Sequence, residues 1–223
     1  MSVNDLRISA MYDCRVPYLQ PLFAAYEYPW ELLPHIGEHI RSLIAGGLEG
    51  FTEWRPDVWV GEGVTVADTA TVQPPAVIGA GTVIRPGAYL RGNVITGRYC
   101  VLGNSSEFKN CLLLDGVQAP HYNYVGDSVL GNKAHLGAGS VCSNLKSDGK
   151  PVVIHGERDY PTDLRKVGGL LADGADIGCG CVLNPGTVVG NNTSVYPLTA
   201  LRGVYPANSI VKAADRVVPR AGD

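Results

Sequence analysis

The chain has 223 residues, of which 28 are glycine and three are phenylalanine, and 17% are charged, against about 25% in an average soluble domain. That mix excludes a disordered chain, which needs much charge and few apolar residues. It also excludes a helical bundle, which draws on Leu, Ala, Glu and Lys, and it favours short strands joined by tight turns. With 18 basic and 21 acidic residues there is no electrostatic footprint of a nucleic-acid binder.

No Lys/Arg run marks a membrane-surface segment, and no apolar run approaches the length of a membrane span. The start, Met1-Ser2-Val3-Asn4-Asp5, lacks a basic region followed by an apolar stretch, so no signal peptide is expected. Cysteines stand at 14, 100, 111, 142, 179 and 181 with no CxxC pair, the pattern of reduced thiols. The expected location is cytoplasmic.

Residues 1–57 read as an N-terminal helical lead. From Trp30 to Ala45 the positions Leu32, Leu33, Ile36, Ile40, Leu43 and Ile44 form a helical stripe, and Gly46-Gly47 stops it. Such a helix is expected to cap the open end of whatever follows. His35 and His39 lie four apart on it but lack the acidic residue of an HExxH site, so a solvated face is expected rather than a metal pair.

From residue 58 a different period takes over. Steps of six from Val60 meet Val66, Val72, Ile78, Ile84, Leu90, Thr96, Leu102, Phe108 and Leu114, of which only Thr96 is not apolar. The series resumes as Tyr124, Leu130, Leu136, Cys142, and again as Leu171, Ile177, Leu183, Val189, Val195, Leu201. A helix would show a period of 3.6 and an alternating strand one of two, so neither accounts for a marker of period six. This is the hexapeptide signature of a parallel β-helix, each hexad giving one short strand with an inward aliphatic side chain and a tight turn. The fold class is therefore an all-β solenoid over 58–214, with a tail at 215–223. The frame slips twice, which places loops at 115–123 and 143–170, where function is expected on a rigid solenoid.

Residues 18 apart stack on neighbouring rungs about 4.8 Å apart. Arg91 and Lys109 have that spacing, and each follows an inward position. Two cations held side by side suit a phosphate; the other reading is a pair of surface cations partnered by Glu107. His121 falls in the first slip, twelve residues after Lys109, among tyrosines that suit the wall of a small-ligand site. Imidazole is suited to general-base work near neutral pH, although a lone histidine is more often structural.

The runs Gly103-Asn104 through Glu107-Phe108-Lys109, His121-Tyr122-Asn123-Tyr124-Val125-Gly126-Asp127-Ser128, and Leu136-Gly137-Ala138-Gly139 through Ser143-Asn144 follow one another in order. In this they resemble the acetyltransferase domain of the bifunctional glucosamine-1-phosphate acetyltransferase/N-acetylglucosamine-1-phosphate uridylyltransferases. The continuation Asn144-Leu145-Lys146-Ser147-Asp148-Gly149-Lys150 is similar to the archaeal sugar-1-phosphate branch. The resemblance implies a left-handed coil, a homotrimer, and acetyl-CoA as co-substrate with no metal required. It implies His121 as general base and Asn144 near the acetyl group. It further implies that Arg91, Lys109, Tyr124 and Lys150 bind the sugar phosphate and that Ala138 meets acetyl-CoA through its backbone.

His135 stands where the bifunctional enzymes have a substrate-binding asparagine, and Cys179 and Pro197 do not match the family's residue types at the CoA contacts. Cys179-Gly180-Cys181 reads as small packing residues rather than a redox pair. No Gly-rich nucleotide loop occurs in residues 1–57, so the uridylyltransferase half is not expected here. The leading expectation is an amino-sugar 1-phosphate N-acetyltransferase. Its rivals are a non-catalytic solenoid that binds sugar phosphate or partners a separate nucleotidyltransferase, and a zinc enzyme built from His121, His135 and His155.

Overall fold

The fold follows from its corners. Between the first and second faces of the coil, one residue per turn is left-handed: Gly63, Gly81, Tyr99, Gly116, Lys133, Gly174, Asn192 and Asn208, with φ from +53° to +71°. A second column, Gly87, Ser105, Tyr122, Gly139, Gly180 and Leu198, turns the chain between the second and third faces. Glycine and asparagine reach this region cheaply, which is why small and turn-forming residues recur between the aliphatics. The computed structural model describes residues 5–220. The very start of the chain and the end of the expected tail lie outside those residues.

The result is a left-handed parallel β-helix, the exception to right-handed crossovers. The first face stacks Val58–Gly61, Ala76–Ile78, Val94–Thr96 and their successors in parallel register, Val60 beside Ile78 and Val77 beside Ile95. The second runs through Thr65–Val66, Val83–Ile84, Val101–Asn104, Gln118–His121 and His135–Leu136. The third runs through Thr71–Gln73, Tyr89–Arg91 and onward. The inside is filled by side chains such as Ile78, Ile84, Leu90, Leu102 and Phe108, all at 1% exposure or less. Antiparallel hairpins close both ends: Phe51–Arg55 on Val58–Gly61, and Ser209–Ala213 on Arg216–Pro219. The second of these means that a strand occupies the stretch expected as tail.

The six-residue ruler fails at one kind of corner. Phe108 and Leu113 both point into the coil, five residues apart, as do Val125 and Leu130. Asn110 and Asp127, at φ +47° each, make these shorter corners, and Glu107–Leu113 and Tyr124–Leu130 run through them as continuous strands. Leu114 and Tyr124 are therefore not inward: Leu114 packs outside the coil, and the inward neighbour of Tyr124 is Val125. No loop projects at 115–123, because Gln118–His121 is a regular strand of the second face. The two frame losses at 108–113 and 125–130 had merged into one gap.

The lead does not cap an open end. Its buried side chains, among them Leu19, Leu32, Leu33, Ile36 and Ile40, pack on the outside of the first face against Val77, Ile95, Leu112 and Val129. Those outward positions are aliphatic, so this face carries an apolar stripe that needs cover. The expected helix from Trp30 is two pieces, a 3-10 helix Pro29–His35 and an α-helix Ile36–Gly46. Pro34 lies inside the first, and a proline there clashes with the preceding turn of an α-helix. Glu31 Oε2 accepts from the backbone N–H groups of Tyr28 (2.8 Å) and Glu27 (3.0 Å) and fixes the start. His39 hydrogen-bonds Tyr18 O at 2.7 Å, and His35 stacks on Tyr26, so both serve packing.

The long excursion at 143–170 is present. It contains the antiparallel hairpin Val153–His155 and Asp159–Pro161, and Tyr160 packs against Trp30 and Tyr28 of the lead. It rejoins the coil at Leu170–Leu171, which pairs with Val129 and Leu130. Among the described residues no helix is long and apolar enough to cross a membrane.

Candidate functional site

The outward residues of the third face stack in columns and include several of the candidate site residues. Tyr89 pairs with Glu107, and Glu107 with Tyr124; Leu90, Phe108 and Val125 are the inward neighbours. Arg91 and Lys109 accordingly stand on adjacent rungs, as their spacing implied. Each already holds a carboxylate: Arg91 Nη1 lies 2.6 Å from Glu107 Oε1, and Lys109 Nζ lies 3.2 Å from Asp127 Oδ2.

Asp127 is the hub of the site. Only 5% exposed, its carboxylate accepts from Lys109 Nζ, from Asn110 Nδ2 at 2.9 Å and from Asn144 Nδ2 at 2.5 Å. Asn110 Nδ2 also donates to Leu33 O of the lead at 3.2 Å. Asp127 O accepts from Gly168 N (2.7 Å) and Asn144 O from Val167 N (3.0 Å), so the same two residues anchor the end of the excursion. Asn144 Nδ2 donates as well to Tyr124 Oη at 3.2 Å. Burial raises the phenol of Tyr124, while the Asn144 contact opposes the shift. Gly126 makes room for this meeting: a Cβ there would collide with Tyr124 Oη and Asn144 Nδ2.

His121 stands at the corner between the second and third faces, beside Asn104 of the preceding rung and three residues before Tyr124. Its side chain is exposed. Its backbone is held on both sides, His121 N donating to Asn123 Oδ1 (3.1 Å) and Gly139 N to His121 O (3.0 Å). The buried Asn123 side chain donates in turn to Gly137 O at 2.8 Å. The corner is thus rigid while the ring is free to meet a ligand. The corner column below it is lined by Tyr122, Ala138, Gly139, Cys179, Gly180 and Leu198, and Leu198 is 84% exposed. Ala138 is exposed there, its O accepting from Gly180 N at 2.8 Å.

The structure therefore brings Lys109, Tyr124 and Asn144 together around Asp127, sets Arg91 one rung from Lys109, and places His121 at the end of the second-face strand that leads into Tyr124. His135 lies on the second face with Nδ1 2.8 Å from Asp176 Oδ1. Lys150 is exposed in the excursion, its backbone N–H donating to Asp148. His155 is in the hairpin, 2.8 Å from Asp159. His121, His135 and His155 thus belong to three separate places, and among the described residues no three His, Cys, Asp or Glu side chains group as metal ligands do. Sequence reasoning did not single out Asp127, although it closes the H-x-x-Y-x-G-D run, nor Asn110, whose only signal was a turn-forming residue at a shortened corner.

A parallel β-helix built on a six-residue repeat makes this chain a hexapeptide-repeat protein, and the model of the bacterial transferase hexapeptide (six repeats) matches residues 57–92. It is homologous to the acetyltransferase region of archaeal GlmU-type proteins. It is 30% identical over 194 residues to the bifunctional protein GlmU of Methanococcus maripaludis, covering 86% of this chain and 47% of that protein. It is 32% identical over 114 residues to a bifunctional sugar-1-phosphate nucleotidylyltransferase/acetyltransferase of Sulfurisphaera tokodaii, covering 50% of this chain and 28% of that one. The chain spans about half or less of the length of these relatives. Among solved structures it is similar to the acetyltransferase domain of PglB from Neisseria gonorrhoeae in complex with acetyl coenzyme A. That match has 18% identity and a TM-score of 0.44, over 82% of this chain and 63% of that one.

Proposed function

We propose that this chain is an acetyl-CoA-dependent N-acetyltransferase acting on an amino-sugar 1-phosphate. The observation that carries the reading is the exposed His121 ring at a rigid corner, three residues before the Tyr124 that joins Asn144 and Asp127. The Sulfurisphaera relative, a bifunctional sugar-1-phosphate nucleotidylyltransferase/acetyltransferase by name, supports the substrate class.

In this mechanism the sugar amine attacks the thioester carbonyl carbon. The C–N bond forms, His121 takes the proton from nitrogen, and the carbonyl oxygen becomes an oxyanion. Asn144 is the donor for it: one amide hydrogen stays on Asp127, and the oxyanion takes the place of Tyr124 Oη as acceptor of the other. Collapse breaks the C–S bond, and the imidazolium returns its proton to the CoA sulfur. Ala138 leaves the corner open for the thioester. Tyr124, Arg91, Lys109, His135 and Lys150 contact the sugar phosphate, the two stacked cations exchanging a carboxylate for phosphate oxygens.

The same reading makes the working unit a cytoplasmic homotrimer, with a separate nucleotidyltransferase using its product. Exposed Tyr99, Tyr122 and Leu198 on the coil corners supply apolar surface for subunit contacts. The carboxylate partners on both stacked cations favour one rival, a solenoid that binds or assembles without turnover; acetyl-CoA binding by calorimetry separates the two. The direct test is CoA release with glucosamine-1-phosphate, galactosamine-1-phosphate and their nucleotide-linked forms. Release with a sugar 1-phosphate supports the reading, and release with none of the four rejects it.

A further inference from the structure

We propose that Asn110 is a positioning residue for Asn144: through Asp127 it fixes the amide that the acetyltransferase reading makes the oxyanion donor. What that amide does chemically rests on that reading; the link between the residues rests on geometry alone. Asn93, Asn110, Asp127 and Asn144 recur every 17 residues. Their neighbours pair in register, Cys111 with both Val94 and Ser128, and Val125 with Cys142. The four therefore stack at the corner between the third and first faces. The first three turn that corner with φ of +51°, +47° and +47°, a conformation that asparagine, aspartate and glycine reach at low cost.

Both hydrogens of the Asn110 amide are spent. One goes to Asp127 Oδ1 at 2.9 Å and the other to Leu33 O of the lead at 3.2 Å. The opposite carboxylate oxygen, Asp127 Oδ2, accepts from Asn144 Nδ2. An amide anchored on the lead thus sets the plane of the carboxylate, and that plane aims the amide of Asn144. Lys109 Nζ also reaches the carboxylate, at 3.2 Å, but an ammonium with rotatable donors supplies charge without fixing a plane. The lead is matched to this ladder. Leu33 and Gly37 stand one helical turn apart and meet successive rungs, since a Cβ on Gly37 would fall 2.6 Å from Asn93 Oδ1. A helical turn advances about 5–6 Å, close to the roughly 4.8 Å between stacked strands. Asn110 acts only through Asp127, whereas Asn144 meets the reacting oxygen.

Glycine and aspartate both suit the corner at 110, so N110G, which removes the donor, and N110D, which turns it into an acceptor, are expected to fold. Two measurements on the full chain test the link. In spectra of protein labelled with 15N-asparagine, the side-chain amide signal of Asn144, identified by its loss in N144A, is expected to shift in both variants. In CoA release with glucosamine-1-phosphate and acetyl-CoA, both are expected to lose about ten- to a hundredfold in kcat, the scale of a misplaced catalytic group. KM for acetyl-CoA is expected to stay within a few-fold of wild type. In the N144A background N110G is expected to cost less than about twofold more, because the group it positions is gone. An Asn144 signal that stays in place in N110G overturns the proposal. So does wild-type kcat in folded N110G, or an equal kcat loss with and without Asn144. A shifted signal in a protein whose wild type releases no CoA with any sugar 1-phosphate rejects the acetyltransferase reading and leaves the link from Asn110 to Asn144 standing.

Discussion

Asn144 and Asp127 join through one short hydrogen bond, Nδ2 to Oδ2 at 2.5 Å, and through it the excursion becomes part of the coil. Backbone bonds from Val167 to Asn144 and from Gly168 to Asp127 close the same junction. The carboxylate also holds Lys109 and Asn110, so three elements depend on one acidic side chain.

Asp127→Asn keeps the size and removes the charge, leaving Lys109 without its partner and setting amide against amide at Asn110 and Asn144. Loss of a nearly buried charged acceptor costs about 1–3 kcal/mol. Denaturant unfolding is expected to show that loss, together with faster proteolysis of residues 143–169. A variant as stable as the parent would remove Asp127 from the centre of the junction.

Gly103 lies beneath the strand that carries His121, and a Cβ there would fall 1.9 Å from the Pro120 carbonyl. Neither backbone can yield easily on a stacked coil. Gly103→Ala is expected to cost more than the usual 1–3 kcal/mol of overpacking, read as a lower melting temperature or loss of soluble protein.

Phe108 is the largest side chain fully enclosed in the coil. Phe108→Ala leaves a void the neighbouring rungs cannot fill without breaking register, for an expected loss of about 3–5 kcal/mol by chemical denaturation.

Burial raises the thiols of Cys14 to about 11 and of Cys100 and Cys142 to about 12, and those of Cys111 and Cys181 also rise. A raised thiol holds its proton, so at pH 8 Cys14, Cys100, Cys111 and Cys142 present almost no thiolate, and Cys181 is enclosed as well. Cys179 is the exposed one. Iodoacetamide at pH 8 is expected to label Cys179 first in the folded protein, with the others reacting only after unfolding; peptide mapping by mass spectrometry reads the order.

The coil was legible because Ile78, Ile84, Leu90 and Leu102 repeat a physical constraint, one inward side chain per strand. The five-residue corners were not, since Asn110 and Asp127 read as ordinary polar residues until the register shows that they shorten a turn. Nor was the place of the lead: Val77, Ile95, Leu112 and Val129 look like any strand residues, and only the folded first face reveals them as a stripe that the helices cover. Arg91, Lys109, Tyr124 and Asn144 were legible as a set through spacing and motif order.

The central claim is that His121 takes the proton in acetyl transfer. Its ring is exposed and its backbone is held independently of the side chain, so His121→Ala is expected to fold and melt as the parent does. The most direct measurement is the rate of CoA release with glucosamine-1-phosphate and acetyl-CoA for wild type and this variant. A drop of about 10²–10⁴-fold in kcat is expected if His121 is the base; a folded variant that acetylates at the full rate would contradict that role.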